Sequence, residues 1–434
     1  MQKNNKNIAL FSCYSVYNLK NSYRCKKAQV LIKDRHWFLY KIVLLIMVFY
    51  SLNCWLFFEV NRMMMNFIFL GISMPFFMKS AMWNLSRSRK QIAIILVLLK
   101  LYVAGIGNIN LYIAAFFDSL PLLVVVLLRR EYLEDLFDTF QNVLSIILGL
   151  GAAFWILHLI GYDFLPSQDI AFGTIEDNMG RLVDQYYFEN HYLYLADKTW
   201  FIRPFSDIPS FVRFNSIFLE PGYLAIFMMF LLFINKFDLK DHRNKVYLVT
   251  LILTLSLAGF IMTILAFIAH KMQYSRKRIS ILVGIGLSLF VAYCFFSEYN
   301  GGKNVINEAI ISRLEVDEEK GIAGNNRTSE AMDEQYVSFL ASPDVVFGLR
   351  DSKMLEFGVG YKAYLIKNGL IGMVLFLVFL LWIARLKNNY RSFVLMALYL
   401  LMFARGEGTM FYTAFIMVYL VGVLKSTHEI QLAK

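Results

Sequence analysis

The sequence predicts an all-α, polytopic membrane protein with about 12 transmembrane helices and two large extracytoplasmic loops. Three observations carry that expectation. The 434 residues are 58% hydrophobic and only 17% charged, whereas a soluble domain runs near ~25% charged. Apolar runs suited to a hydrocarbon core of ~30 Å recur along the chain. Between them the Lys and Arg residues fall in short clusters, the way they distribute on the cytoplasmic side of a membrane.

Residues 1–36 are polar and basic, with Lys3, Lys6, Lys20, Arg24, Lys26, Lys27, Lys33 and Arg35. They are too long for the n-region of a signal peptide and are expected to be a cytoplasmic segment before an uncleaved anchor. Membrane segments are expected at 37–58, 63–83, 91–107, 109–128 and 139–160, which make up an N-terminal group over 37–160. A central group over 220–297 holds segments 220–235, 246–257, 258–270 and 279–297. A C-terminal group over 363–425 holds 363–384, 392–405 and 409–425, followed by a cytoplasmic tail, 426–434.

The charges test this order. With the N-terminus inside, Arg87, Arg89 and Lys90, then Arg129 and Arg130, then Lys236, Lys240, Arg243 and Lys245 all fall inside. So do Lys271 and Arg276–Arg278, Arg385, Lys387 and Arg391, and finally Lys425 and Lys434. Both termini are then cytoplasmic. Residues 246–270 have basic clusters on both sides, and one crossing would strand a cluster outside. A tight helical hairpin turning near Ser256 and Gly259 keeps both inside, with members short for full spans.

The loops 161–219 and 298–362 face outside in this topology. The first carries Asp163, Asp169, Glu176, Asp177, Asp184, Glu189, Asp197 and Asp207, and the second the run Glu315, Asp317, Glu318, Glu319. Loops of this length usually serve a purpose. Segments 174–190 and 326–341 are expected as short helices on or near the membrane surface.

Several functions are excluded. The net charge of +11 is spread in loop clusters rather than gathered on one domain, so nucleic acid is not an expected partner. Cys13, Cys25, Cys54 and Cys294 form no Cys-x-x-Cys pair, so neither a disulfide framework nor a zinc site is expected from them. There is no Gly-x-x-x-x-Gly-Lys-Ser/Thr, no His-Glu-x-x-His, no Gly-x-Ser-x-Gly and no Asp-x-Asp. No cofactor and no metal is expected.

What remains is charge at the outer boundary. Arg213-Phe-Asn-Ser-Ile-Phe-Leu-Glu220-Pro221-Gly222 closes the first loop. Pro221 suits the first turn of the next helix, and Glu220 then sits at that helix's positive end. One reading is a capped helix start with a surface arginine. The other is an arginine aimed at an anionic lipid headgroup beside a carboxylate able to take a proton. The second loop offers Arg313, Arg327 and Arg350, whose guanidinium groups suit forked phosphate binding but equally suit plain solvation. The glycines of Phe347-Gly348-Leu349, Gly358-Val359-Gly360-Tyr361-Lys362 and Lys367-Asn368-Gly369-Leu370-Ile371-Gly372 permit close backbone approach. Lys41, Lys79, Lys100, Asp118 and His158 are charged or titratable within apolar segments.

The order Arg213…Phe218-x-Glu220-Pro221, then Thr254-Leu255-Ser256-Leu257-Ala258-Gly259, resembles the bacterial O-antigen polymerase and ligase superfamily. Asn326-Arg327, Ser342-Pro343…Phe347-Gly348 and Lys367-Asn368-Gly369-Leu370-Ile371-Gly372 follow in matching order, so the resemblance covers residues 205–385. It implies a Wzy-type polymerase that joins repeat units of O-antigen, capsule or exopolysaccharide carried on undecaprenyl pyrophosphate, at the outer face of the membrane. The family's essential loop arginines carry over to Arg213 and Arg327, set to neutralise the departing pyrophosphate. Glu220 is a weaker candidate for the base that activates the acceptor hydroxyl. Arg313, Arg350 and Lys362 are candidate substrate-binding residues, and Tyr192, Tyr194, Trp200 and Tyr361 are aromatics suited to stacking on sugar. Implied partners are the lipid-linked oligosaccharide, membrane lipids, a chain-length regulator and a flippase. The ligase branch often shows a histidine ahead of the tenth helix, where this chain has Tyr361-Lys362, which favours polymerase; Leu257 stands where the hairpin often has an arginine. A ligase of the same superfamily remains the nearest alternative. A lipid-linked oligosaccharide flippase or other transporter is disfavoured by the two long outer loops.

Overall fold

A helix that is apolar on every side has to be buried, and two helices of that kind form the centre of this molecule. The computed structural model describes residues 37–52, 54–57, 62–79, 82–104, 109–176, 182–197, 201–202, 211–274, 330–349, 360–405 and 411–426, with isolated positions between 284 and 322. The chain is mostly helical. In order it runs α1 (Trp37–Tyr50), α2 (Arg62–Met78), α3 (Arg87–Ala104), α4 (Ile109–Leu127), α5 (Arg130–Leu159), α6 (Pro221–Ile234), α7 (His242–Leu253), α8 (Leu257–Tyr274), α9 (Glu330–Leu340), α10 (Tyr361–Arg385), α11 (Tyr390–Arg405) and α12 (Thr413–Lys425). Every expected membrane segment has its helix except 279–297, most of which lies outside the described residues.

α6 and α12 are buried along nearly their whole lengths. Phe227 of α6 meets Phe415 of α12 edge-on at 4.8 Å and Phe140 of α5 at 5.9 Å. A side chain at Gly422 would press on Leu395 and Ile234 at 2.8–2.9 Å, so glycine sets how closely α12 crosses α11 and α6. α7 and α8 both pack on α6, and α3 packs on α4 and α10. The outward faces carry large apolar side chains, among them Phe38, Ile46, Phe67, Ile94, Leu98, Phe116, Ile146 and Val374. Such a surface marks a membrane-associated protein. Two helices, Arg130–Leu159 and Tyr361–Arg385, are long and apolar enough to cross a membrane, and shorter apolar helices surround them.

One end of the bundle is held by polar side chains. Trp37 Nε1 and Lys41 Nζ donate to Asp135 at 2.8 and 3.0 Å. Lys425 reaches Asp138 at 3.0 Å, and Asn235 bridges Gln141 and Asn244 at 2.6 and 2.9 Å. Arg391 of α11, 2% exposed, donates to the Phe233 and Ile234 carbonyls at 2.6 and 3.0 Å and closes the C-terminus of α6. Arg130, Lys236, Arg243, Arg391 and Lys425 thus gather at the same end, as the charge pattern requires. Arg391→Met takes the side-chain donor from both carbonyls and leaves Phe233 with backbone donors alone, the Lys236 amide at 3.0 Å among them. A loss of about 2–3 kcal/mol is expected, read as a lower unfolding midpoint in detergent, with Arg391→Lys recovering part of it.

Two expectations are corrected. Within the expected helix 174–190, the described residues 174–176 and 182–190 are strands: β1 (Gln168–Glu176) and β2 (Leu182–Asn190) pair antiparallel, and β3 (Leu195–Asp197) pairs with β2. Leu182-Val-Asp-Gln-Tyr-Tyr-Phe is rich in β-branched and aromatic residues, whose preference for strands outweighs the helical reading. The fold as a whole stays mostly helical, with these few strands in the loops. Two further small pairs, β4 (Phe201–Ile202) with β5 (Phe211–Val212) and β6 (Val316–Asp317) with β7 (Gly321–Ile322), add to it. Finally, α5 begins at Arg130 rather than 139, because Glu131, Glu134, Asp135 and Asp138 belong to its first turns, where acidic groups suit the helix dipole.

The 246–270 stretch is a helical hairpin, with Thr254, Leu255 and Ser256 as its turn between α7 and α8. Leu255 takes a left-handed φ of 45°, and Ser256 Oγ accepts from the Gly259 amide at 3.3 Å, capping α8. Gly259 is needed because its α-carbon lies against Ala225 of α6.

Candidate functional site

The end of the bundle opposite the basic cluster is roofed by two stretches of the first loop. One is the turn after β2, residues 190–195. The other runs from Arg213 to Glu220. They are joined by hydrogen bonds from Ser216 Oγ to the Leu193 carbonyl, 3.2 Å, and from the Leu195 amide to the Ser216 carbonyl, 2.9 Å. Trp55 ties both down: its amide donates to the Ile217 carbonyl at 3.2 Å and its indole to the Tyr192 carbonyl at 3.0 Å. The hairpin turn reaches the same place, since the Phe214 amide donates to the Leu253 carbonyl at 3.3 Å.

Arg213 follows β5 and is half-buried. Phe214 beside it is fully buried against Trp155, ring centroids 5.6 Å apart. Asn215 is also fully buried, yet neither its amide oxygen nor its nitrogen has a hydrogen-bond partner. Ser216 holds a left-handed φ of 50°. Two features that each cost free energy, an orphaned amide and a strained serine, stand next to Arg213. Glu220, half-buried, is the N-cap of α6, and Pro221 takes the first helical position. The carboxylate makes no cap bond to the helix amides and lies within electrostatic reach of the Tyr412 phenol at the start of α12. The helix-start reading of Pro221 holds, while the Glu220 side chain is spent elsewhere than on capping.

The other expected residues divide. Tyr192 is exposed at the same roof, with φ 65° and its ring edge-on to Trp55 at 5.6 Å. Tyr361 and Lys362 lie instead at the start of α10, where both meet Tyr336 of α9, the lysine 5.4 Å above its ring. Arg313, Arg327, Arg350 and Trp200 lie outside the described residues. Among the residues within apolar segments, Lys41 pairs with Asp135 and Lys100 sits over the Phe411 ring at 4.9 Å, both structural contacts.

The glycine-rich element does bring two segments together. Gly369 interrupts α10 with φ 63°, ψ −174°, and Gly348 crosses it with φ 82°. The Leu349 amide donates to the Ile366 carbonyl at 2.8 Å and the Ile371 amide to the Val346 carbonyl at 3.2 Å. Tyr102 of α3 spans the crossing, its hydroxyl 3.1 Å from both the Phe347 and Asn368 carbonyls.

Sequence reasoning missed Asn215, Trp55 and a histidine group beside the roof. His158 at the end of α5 bonds Asp163 at 2.5 Å, and the ring of His191 lies 5.0 Å from that of His158. The His158 hydrogen bond holds the Asp163 carboxyl below the usual range, and burial pushes the His191 imidazole down. Burial, then the Asp163 and Glu189 carboxylates, push the Tyr194 phenol up. Compared with known families, curated proteins and solved structures, the chain matches none.

Proposed function

We propose that this protein is a multi-pass membrane glycosyltransferase that polymerises surface-polysaccharide repeat units carried on undecaprenyl pyrophosphate. The observation that supports this most directly is the meeting of the Arg213–Glu220 stretch with Leu253, at the hairpin end of α7, away from the basic cluster. By the charge rule, that end faces outside. A hydroxyl of one lipid-linked unit attacks the anomeric carbon of the growing glycan. The bond from that carbon to the pyrophosphate oxygen breaks, and its electron pair leaves with the lipid pyrophosphate. Arg213, together with Arg327, faces the charge that builds on the leaving group. Glu220 receives the proton of the attacking hydroxyl. Two residues on from Arg213, Asn215 holds a buried side-chain amide with no hydrogen-bond partner. The reaction consumes no nucleotide.

Deleting the gene is expected to leave single repeat units on the cell surface while longer chains vanish, read as loss of the ladder in a glycan gel. Loss of every unit, the single one included, would point to a flippase or a ligase. With purified protein and lipid-linked repeats, chains are expected to lengthen without added magnesium or manganese. An absolute need for added divalent cation overturns the leaving-group role given to the arginines.

A further inference from the structure

We propose that His158, Asp163 and His191 form a binding site for one divalent first-row transition cation, of which zinc is the representative, and that this ion clips the outer loop to the end of α5. The proposal is independent of the function proposed above. Each residue offers one ligand atom, and the three atoms lie within 4.8 Å of one another. Two imidazoles and a carboxylate are the donors that such cations select, whereas calcium and magnesium require a shell of oxygens.

The second observation is His191 itself. It is 1% exposed, and neither ring nitrogen meets a partner in hydrogen-bonding geometry, although Glu189 Oε1 lies 3.5 Å from Nε2 and the Leu165 backbone is close. A buried imidazole with no well-formed hydrogen bond at either nitrogen costs free energy, and a ligand that takes one of them removes part of that cost. Its ring is fixed by stacking on Tyr194, 4.5 Å away and 14° from parallel. A ring held this way is an oriented donor.

The other two ligands are adjustable. The Asp163 side chain is 55% exposed and that of His158 24%. Two ligands about 2.0–2.1 Å from a tetrahedral ion sit roughly 3.3 Å apart. The 2.5 Å His158–Asp163 contact therefore opens slightly, and the proton between them leaves Nδ1 or moves to Nε2. The exposed side of Asp163 leaves room for water as a fourth ligand. Sequence gives no hint of the trio, because His158 and His191 are joined only by the path of the hairpin β1–β2 between them.

The clip has a structural reach. His191 and Leu193 belong to one turn, and the Leu193 carbonyl accepts from Ser216. Fixing that turn to α5 also steadies the Arg213–Glu220 stretch bonded to it.

The test uses the full chain, purified in detergent with an affinity tag free of histidine. Zinc is added, excess is removed by dialysis against buffer, and bound metal is counted by mass spectrometry. One zinc per chain is expected, with the unfolding midpoint raised by several degrees when zinc is present. Asp163→Asn and the double variant His158→Ala/His191→Ala are each expected to weaken binding by about 100-fold or more. X-ray absorption is expected to show two imidazoles and oxygen around the ion. Because His191 is buried, the double variant is read only alongside Asp163→Asn, whose exposed side chain carries little packing. Zinc that stays at full stoichiometry and affinity in Asp163→Asn is bound elsewhere in the chain and overturns the proposal, as does wild-type protein that retains none. Calcium or magnesium binding as tightly as zinc overturns it as well.

Discussion

Arg213→Ala is expected to reduce chain lengthening by about 100- to 1,000-fold while the protein stays folded in the membrane. The figure is what loss of a charge-stabilising donor at a developing anion usually costs. The side chain is half-buried on an irregular stretch between β5 and α6, so its removal leaves the bundle core of α6 and α12 untouched. Arg213→Lys separates charge from shape. A lysine keeps the positive charge but lacks the planar fork that grips a phosphate through two parallel bonds. It is expected to retain only a small part of the activity. The assay is the glycan ladder from cells complemented with each variant, with membrane protein level measured in the same samples. Long chains of normal abundance from Arg213→Ala overturn the arginine's role and, with it, the proposed reaction.

The largest effect on folding is expected at Gly369. Its φ of 63° with ψ −174° lies in a region that only glycine occupies freely. A β-carbon there would also stand 2.5 Å from the Gly348 amide nitrogen and the Val346 carbonyl oxygen, both backbone atoms that cannot swing aside. Gly369→Val therefore combines a strained backbone with a clash, and breaks the Ile371–Val346 and Leu349–Ile366 bonds. A loss of about 4 kcal/mol or more is expected, from ~1–3 for the conformation and ~1 for each hydrogen bond. It is read as a sharply lower unfolding midpoint or loss of the protein from the membrane. Gly71 is the control: a β-carbon there meets no atom within 4 Å, and Gly71→Ala is expected to be neutral or slightly stabilising.

Much of the helical architecture was legible, and the reasons are specific. Runs such as 220–235 carry no polar face, which marks them as helices kept from water, in the core or in a membrane. The hairpin at 246–270 was legible because two basic clusters demand the same side. The start of α5 was not, since Glu131, Glu134, Asp135 and Asp138 resemble loop charges until Lys41 and Lys425 are brought against them across long stretches of chain. The β1–β2 hairpin was hidden by its polar and charged residues. At the site, Pro221 and the glycine crossing could be read from local chemistry. Asn215, Trp55 and the pairing of His158 with His191 could not, because each depends on contacts between segments that no spacing encodes.

The position of α12 governs when the molecule can become whole. The Ala414 amide is bonded to Ser51 at 2.9 Å, and Lys425 reaches Asp138, so α12 seals seams left by the earlier α1 and α5. A ribosome delivers the N-terminal part first. Until residue 425 has emerged, the buried flanks of α5 and α6 face whatever else is at hand, lipid or chaperone. A chain cut before α12 is expected to leave those flanks open to other partners in the membrane.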